Sequence, residues 1–281
     1  LTISVGHNQY TNALPLFFYI DYDKMRELNI SFVTRLPAEL NRGLADGKLD
    51  ISLISSFSYA LNAEKYELLP GLSVSAQKAV GSIYLFSKVP INDLNNKNIA
   101  LTNRSATSVA LLKVLLKEFY NYDVNYDVMD PNVDEMLNNH DACLIIGDEA
   151  ILTFREKKLK LYSYDLGRMW SIFTGLPMTF AIFAVRKEIY LQKQVEIRLI
   201  WDELIKSKEL SREKKFRPMI HKIKEKYGGD YSFWLDYFNS CLNYELNEEQ
   251  MAGLQYYYEL AYKHSLIERV PNLSPLSMLE K

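Results

Sequence analysis

Hydrophobic positions in the first half of the chain fall into short runs separated by polar turns. Leu1–Val5, Ile30–Arg35 and Leu49–Ile54 read as strands, the last apolar on both faces. Ala13–Ile20 reads as a helix with Asn12 as its candidate cap. Pro37–Ala45 reads as a helix with proline in its first turn and Gly47 closing it. Ser55–Asn62 opens a further short helix, and residues 66–87 read as more strands, ending in Gly81-Ser82-Ile83-Tyr84-Leu85-Phe86. A second alternating unit follows. It has a strand over Asn98–Thr102 and a helix from Ser105-Ala106-Thr107-Ser108 to about Tyr120. Strands follow over Ala142–Ile146, Leu159–Tyr164 and Met178–Val185. From Lys187 onward the pattern is amphipathic and helical, three or four helices with a break at Gly228-Gly229.

Strands alternating with helices imply an α/β fold with largely parallel sheets. Two such units followed by helices suggest two lobes with a discontinuous first one. The expected division is 1–87 and 180–281 for the first lobe and 88–179 for the second, with a ligand cleft between them. Ligands of open parallel sheets sit beyond the carboxyl ends of the strands. That rule selects five turns: Gly6–Asn12, Ser55-Ser56, Gly81-Ser82, Asn103–Ser108 and Gly147-Asp148.

Composition narrows the function without naming it. The 281 residues are 48% hydrophobic and carry a formal charge of -2, so the chain has material for a sizeable core but no basic field for nucleic acid. No apolar run approaches the ~18 residues of a membrane span, and no signal peptide is visible, so a cytoplasmic protein is expected. Cys143 and Cys241 read as two reduced thiols, since no CxxC occurs.

The five turns are rich in hydroxyls, amides and glycine and poor in histidine and paired carboxylates. Ser105, Thr107 and Ser108 at a helix start suit a carboxylate through hydroxyls, free N–H groups and the helix dipole, and Ser105 equally suits a plain cap. Ser55 and Ser56 hold an anion or cap the next helix. Asn12 caps or points into the cleft, and Asp148 faces a ligand or caps the segment from Glu149. His7 lies in the first turn, but nothing near it makes a triad spacing; HExxH, GxSxG, P-loop and GxGxxG patterns are absent. The aromatic stripes Phe233–Tyr244 and Tyr256–Tyr262 read as core. These residues describe a polar, uncharged cleft for a small anion and leave binding protein and enzyme equally open.

The turns also carry a resemblance. Tyr10-Thr11-Asn12-Ala13-Leu14-Pro15-Leu16, Pro37-Ala38-Glu39-Leu40-Asn41, Leu49 to Ser56, Gly81-Ser82, Ser105 to Leu112, Ile145-Ile146-Gly147-Asp148, Tyr164-Asp165-Leu166-Gly167 and Thr174-Gly175-Leu176-Pro177 stand in one order. Together they resemble the chorismate dehydratases of menaquinone biosynthesis by the futalosine pathway, over essentially the whole chain. The resemblance implies a two-lobed fold of the periplasmic-binding-protein type II. It also implies a lyase that takes chorismate to 3-[(1-carboxyvinyl)oxy]benzoate without cofactor or metal. His7-Asn8-Gln9 and Gln77-Lys78 depart from the family pattern. The sister 1,4-dihydroxy-6-naphthoate synthase shares the fold, but its Cys-Pro-Asn turn has no counterpart here, as no cysteine precedes Cys143.

By this resemblance Asn12 and Ser82 assist departure of the ring hydroxyl. Tyr10, Ser55, Ser56, Gly81, Ser105, Thr107, Ser108, Gly147 and Asp148 form the substrate site. The proton acceptor is then either the substrate's own enolpyruvyl carboxylate or Asp148. A non-catalytic binding protein for a small anion is the reading from another class.

Overall fold

The computed structural model describes residues 2–157 and 160–278; Leu1 and Leu159, which open two of the expected strands, lie outside them. In chain order the first part holds β1 (Ile3–Asn8), α1 (Leu14–Phe17), α2 (Tyr22–Glu27), β2 (Ile30–Arg35), α3 (Pro37–Ala45), β3 (Ile51–Ser55), α4 (Ser56–Leu61) and β4 (Tyr66–Ala76). Next come β5 (Ile83–Ser87), β6 (Asn98–Thr102), α5 (Ala106–Val114), β7 (Asn125–Met129), α6 (Val133–Asn139), β8 (Ala142–Ile146), α7 (Gly147–Lys157), β9 (Tyr162–Asp165) and α8 (Leu166–Thr174). The chain returns as β10 (Met178–Arg186). It ends in α9 (Lys187–Gln192), α10 (Gln194–Glu213), α11 (Arg217–Tyr227), α12 (Tyr231–Asp236) and α13 (Glu248–Lys263).

Among the described residues the strands form two five-stranded sheets, ordered β2-β1-β3-β10-β4 and β7-β6-β8-β5-β9. Each has three parallel strands, then one antiparallel strand, then an edge strand. The antiparallel strand is the one that crosses between lobes: β5 enters the second sheet and β10 re-enters the first. The expected lobe boundary at Ser87 is therefore too late. Ile83–Ser87 pairs with β8 and β9, so the chain leaves the first sheet between Ala76 and Ile83. A fully buried apolar run fits either sheet by pattern, and only its pairing decides. The sheets are likewise less parallel than the strand–helix alternation implies, because both crossing strands run against their neighbours.

Burial explains the strand identities. Ile51, Leu53 and Ile54 in β3 and Ile182, Phe183 and Val185 in β10 are at most 2% exposed. Each such side chain contributes about 1.5–3 kcal/mol relative to exposure. The C-terminal aromatic stripes are core as expected at Trp234, Phe238, Tyr257 and Tyr258, which are fully buried, but Tyr262 at the end of the second stripe is 53% exposed. The first helix differs from expectation. Thr11–Ala13 is a 3-10 turn that runs into four-residue α1, and Asn12 lies inside it rather than capping it. The Ser105 cap is present: its hydroxyl accepts from Ser108 N at 3.1 Å, worth about 1 kcal/mol to α5. That helix becomes a π-turn over Leu115–Phe119 before reaching Tyr120.

Candidate active site

The carboxyl ends of β1, β3 and β8 and the start of α5 converge between the sheets. A crevice there is lined by Asn8, Tyr10, Asn12, Ser55, Ser105, Ser108 and Gly147, with apolar walls from Leu53, Ile83, Ile146 and Phe180. Its volume is about 50 Å³, far below the roughly 300–1,000 Å³ of small-molecule sites. The lobes are thus drawn together, and any ring-sized ligand needs them to part. Two larger cavities flank the crevice. One of about 480 Å³ shares Asn8 and Tyr10 with it and is lined by His7, Phe17, Phe18, Lys222 and Lys226. The other, about 790 Å³, meets it at Ser105 and carries Arg42, Arg104 and Lys113.

Contacts between the lobes hold the crevice shut. Asp148, 5% exposed near the start of α7, accepts from Thr11 N at 3.1 Å and the Thr11 hydroxyl at 2.5 Å. Its other oxygen accepts from the Tyr227 hydroxyl at 2.9 Å. Asp148 borders the 480 Å³ cavity rather than the crevice, and it lies inside the first turn of α7 rather than ahead of it. Its neighbour Gly147 has φ 69°, and a methyl at its Cα would stand 2.8 Å from the Tyr10 ring. Burial, then the charge of Glu149, pushes the Tyr10 phenol's pKa up, so it stays a donor.

Ser56 and Thr107 sit deeper than expected. The Ser56 hydroxyl donates to Thr179 O at 2.8 Å, and the Thr107 hydroxyl donates to Phe180 O at 3.2 Å and accepts from Phe57 N at 3.0 Å. Both are committed to backbone, leaving Ser55, Ser105 and Ser108 as the hydroxyls on the crevice wall. Gly81 and Ser82 also lie behind that wall. Ser82 is fully buried, and its hydroxyl has no hydrogen-bond partner among the described residues.

Several positioning groups escaped the pattern-based reading. Asn41 accepts from Ser55 N at 2.9 Å and donates to its hydroxyl at 3.2 Å. The Asp165 carboxylate takes Val80 N at 3.0 Å, Gly81 N at 2.7 Å and Arg168 N at 2.9 Å, fixing the crossing turn before Ser82. Burial raises the pKa of this acid, and those N–H groups oppose the rise. Arg104 borders the larger cavity, and its charge reaches both Tyr10 and Glu149. Burial and then the nearby Asp148 raise the pKa of the Glu149 carboxyl, although its outer face is open to solvent. The C-terminal tyrosines supply donors: Tyr244 to Asn12 O at 2.9 Å, Tyr258 to Ser56 O at 2.6 Å and Tyr257 to Thr107 O at 3.3 Å. Asn12 itself accepts from Asn8 Nδ2 at 3.2 Å. Asn41 and Asp165 stood in quoted motifs, whereas the tyrosines gave only the signal of a core stripe.

Two sheets joined by crossing strands, with hydroxyl-rich turns facing across a closed crevice, define the periplasmic-binding-protein class of fold. Solved structures agree. A protein of Archaeoglobus fulgidus superimposes with a TM-score of 0.73 at 23% identity, covering 95% of this chain and 98% of its own. The alkanesulfonate-binding protein of Xanthomonas axonopodis, bound to MOPS, gives 0.69 at 16% identity over 96% and 95%. The profile described as menaquinone biosynthesis matches residues 3–263, and the chain belongs to that family. Chorismate dehydratase of Thermus thermophilus is 34% identical over 66% of this chain and 70% of its own. That of Campylobacter jejuni is 30% identical over 68% and 70%. The 1,4-dihydroxy-6-naphtoate synthase of Thermus thermophilus is 27% identical over 53% of each chain. The protein is an enzyme of menaquinone biosynthesis.

Proposed function

We propose that the enzyme is a cytoplasmic hydro-lyase that removes water from chorismate to give 3-[(1-carboxyvinyl)oxy]benzoate. The observation that carries this reading is the make-up of the crevice. Among the described residues that line it there is no imidazole and no carboxylate, only amides, hydroxyls, one phenol and apolar walls. Chorismate tolerates such a site. Loss of its ring hydroxyl and the neighbouring hydrogen makes the ring aromatic, which supplies driving force. Its enolpyruvyl carboxylate folds toward that hydrogen, accepts the proton and passes it to the departing hydroxyl, which leaves as water. The protein's task is then to position the substrate and to stabilise the departing hydroxyl.

In this reading Ser105 and Ser108, at the start of α5, and Ser55 hold the two carboxylates when the lobes part and close on the substrate. Asn12, on the crevice wall, serves the leaving hydroxyl, and Ser82, held behind that wall by the Gly147 N–H, joins it once the lobes part. Asp148 acts as an interlobe latch rather than a base, since Thr11 and Tyr227 occupy its oxygens.

The test is to incubate the purified enzyme with chorismate and follow products by chromatography with mass detection. The carboxyvinyloxy-benzoate at enzymatic turnover is expected; chorismate that binds but persists overturns the proposal in favour of a binding protein. Asp148→Asn should keep kcat within about tenfold of the parent, whereas loss of a protein base should cost roughly 10²–10⁴-fold. A large loss of kcat with intact substrate binding would return the base to Asp148.

A further inference from the structure

Four phenols of the C-terminal segment each donate to one crevice turn: Tyr227 to Asp148, Tyr244 to Asn12, Tyr257 to Thr107 and Tyr258 to Ser56. Of the turns this segment faces, the one at Ser82 has no such bond among the described residues. A fifth phenol stands beside it. Tyr237 opens the π-turn Tyr237–Cys241, is 3% exposed, and packs on Trp234 at a ring-centroid distance of 6.0 Å. Its ring packs on the turn that carries Ser82, with Cδ2 3.1 Å from where a Cβ on Gly81 would stand, and its hydroxyl lies within reach of those of Ser82 and Thr11. Yet among the described residues the Tyr237 and Ser82 hydroxyls are both buried without a hydrogen-bond partner. Two adjacent orphaned hydroxyls are uncommon in a native core, because each forfeits its bonds to water. π-Turns of this kind recur at functional sites.

We propose that Tyr237 is a positioning residue for Ser82: with substrate in the crevice, the Tyr237 phenol donates to Ser82 Oγ. The Ser82 hydrogen is thereby turned toward the departing ring hydroxyl. No proton changes owner in this arrangement, and Ser82 remains a hydrogen-bond donor throughout. Burial supports the direction of the bond, since it holds the phenol protonated well above its usual range. The proposal rests on the dehydratase reading and on the Ser82 role within it.

A double-mutant cycle separates the two. Tyr237→Phe removes one oxygen at nearly constant volume. Its kcat for chorismate should fall about 10–100-fold, the range of a lost preorganised donor or somewhat less, with KM within threefold. Its thermal midpoint should hold or rise, because a buried orphan hydroxyl has gone. In a Ser82→Ala background the same change should cost less than about twofold, the non-additivity of residues acting as a unit. Full activity of Tyr237→Phe, or losses that simply multiply, would overturn the proposal while leaving Ser82 in place. Parental activity of Ser82→Ala would remove the Ser82 role and this inference with it. If no dehydration occurs in the parent, the functional reading fails instead. A second hydroxyl-free variant, Tyr237→Met, repeats the cycle should phenylalanine disturb the fold.

Discussion

Gly147 has φ 69° and the Tyr10 ring packed where its Cβ would be, so two separate constraints act on one position. A side chain there meets backbone strain and pushes apart the two turns that close the crevice. Gly147→Ala should lower kcat/KM by about a hundredfold, the scale of an ångström-sized misplacement, while leaving secondary structure by circular dichroism unchanged. Steady-state kinetics with unaltered kcat/KM would mean that the lobes close without this contact. Residue chemistry of this kind was partly legible beforehand. The turns holding Tyr10, Asn12, Ser55, Ser105, Ser108 and Gly147 follow from strand ends in the sequence, and these residues line the crevice. Asp148 stood in the same short motif but binds Thr11 and Tyr227, because α7 carries its carboxylate to the other side of the Tyr10 turn.

Among the elements, α13 does the most joining. Gly253 on this helix would place a Cβ 2.1 Å from Pro177 O, so only glycine lets it pass the turn that leads into β10. The end of the same helix grips the second lobe. Glu118, in the π-turn after α5, accepts from Lys263 Nζ and His264 Nε2, each at 2.7 Å. The Lys263 contact and then that of His264 lower the Glu118 pKa, against burial. A depressed carboxylate stabilises the folded form above its unfolded value and loses that contribution as pH falls through the folded value. The stability tied to this clasp is therefore complete above about pH 4.5, the ordinary value, and declines below it. Urea unfolding between pH 3.5 and 6 should show the parent losing stability with acid more steeply than Glu118→Gln; parallel curves would mean the clasp contributes nothing. Most strand positions were readable from periodicity, though β7, α2, α6 and α8 were not, and neither was this clasp, since its partners stand about 145 residues apart.

For the whole molecule, the crevice volume of about 50 Å³ sets a requirement: the lobes open to admit a ring bearing two carboxylates. The latch at Asp148, the Tyr10–Gly147 contact and the Glu118 clasp then oppose opening, and substrate binding must favour the closed arrangement by its contacts to both lobes. Small-angle scattering should give a larger radius of gyration for Asp148→Ala than for the parent, and a saturating product analogue should narrow the gap. Identical radii would place the opening motion elsewhere. The sequence by itself determined a two-lobed α/β architecture, the strand ends that face the crevice and the scarcity of acid–base groups there, because these depend on local periodicity and residue type. Only the tertiary structure decided that Ile83–Ser87 belongs to the second sheet, that Asp148 bonds to Thr11 and Tyr227, and that C-terminal tyrosines hold the crevice turns. Those facts depend on which distant segments pair, and a buried strand or an aromatic helix face reads the same whatever it packs against.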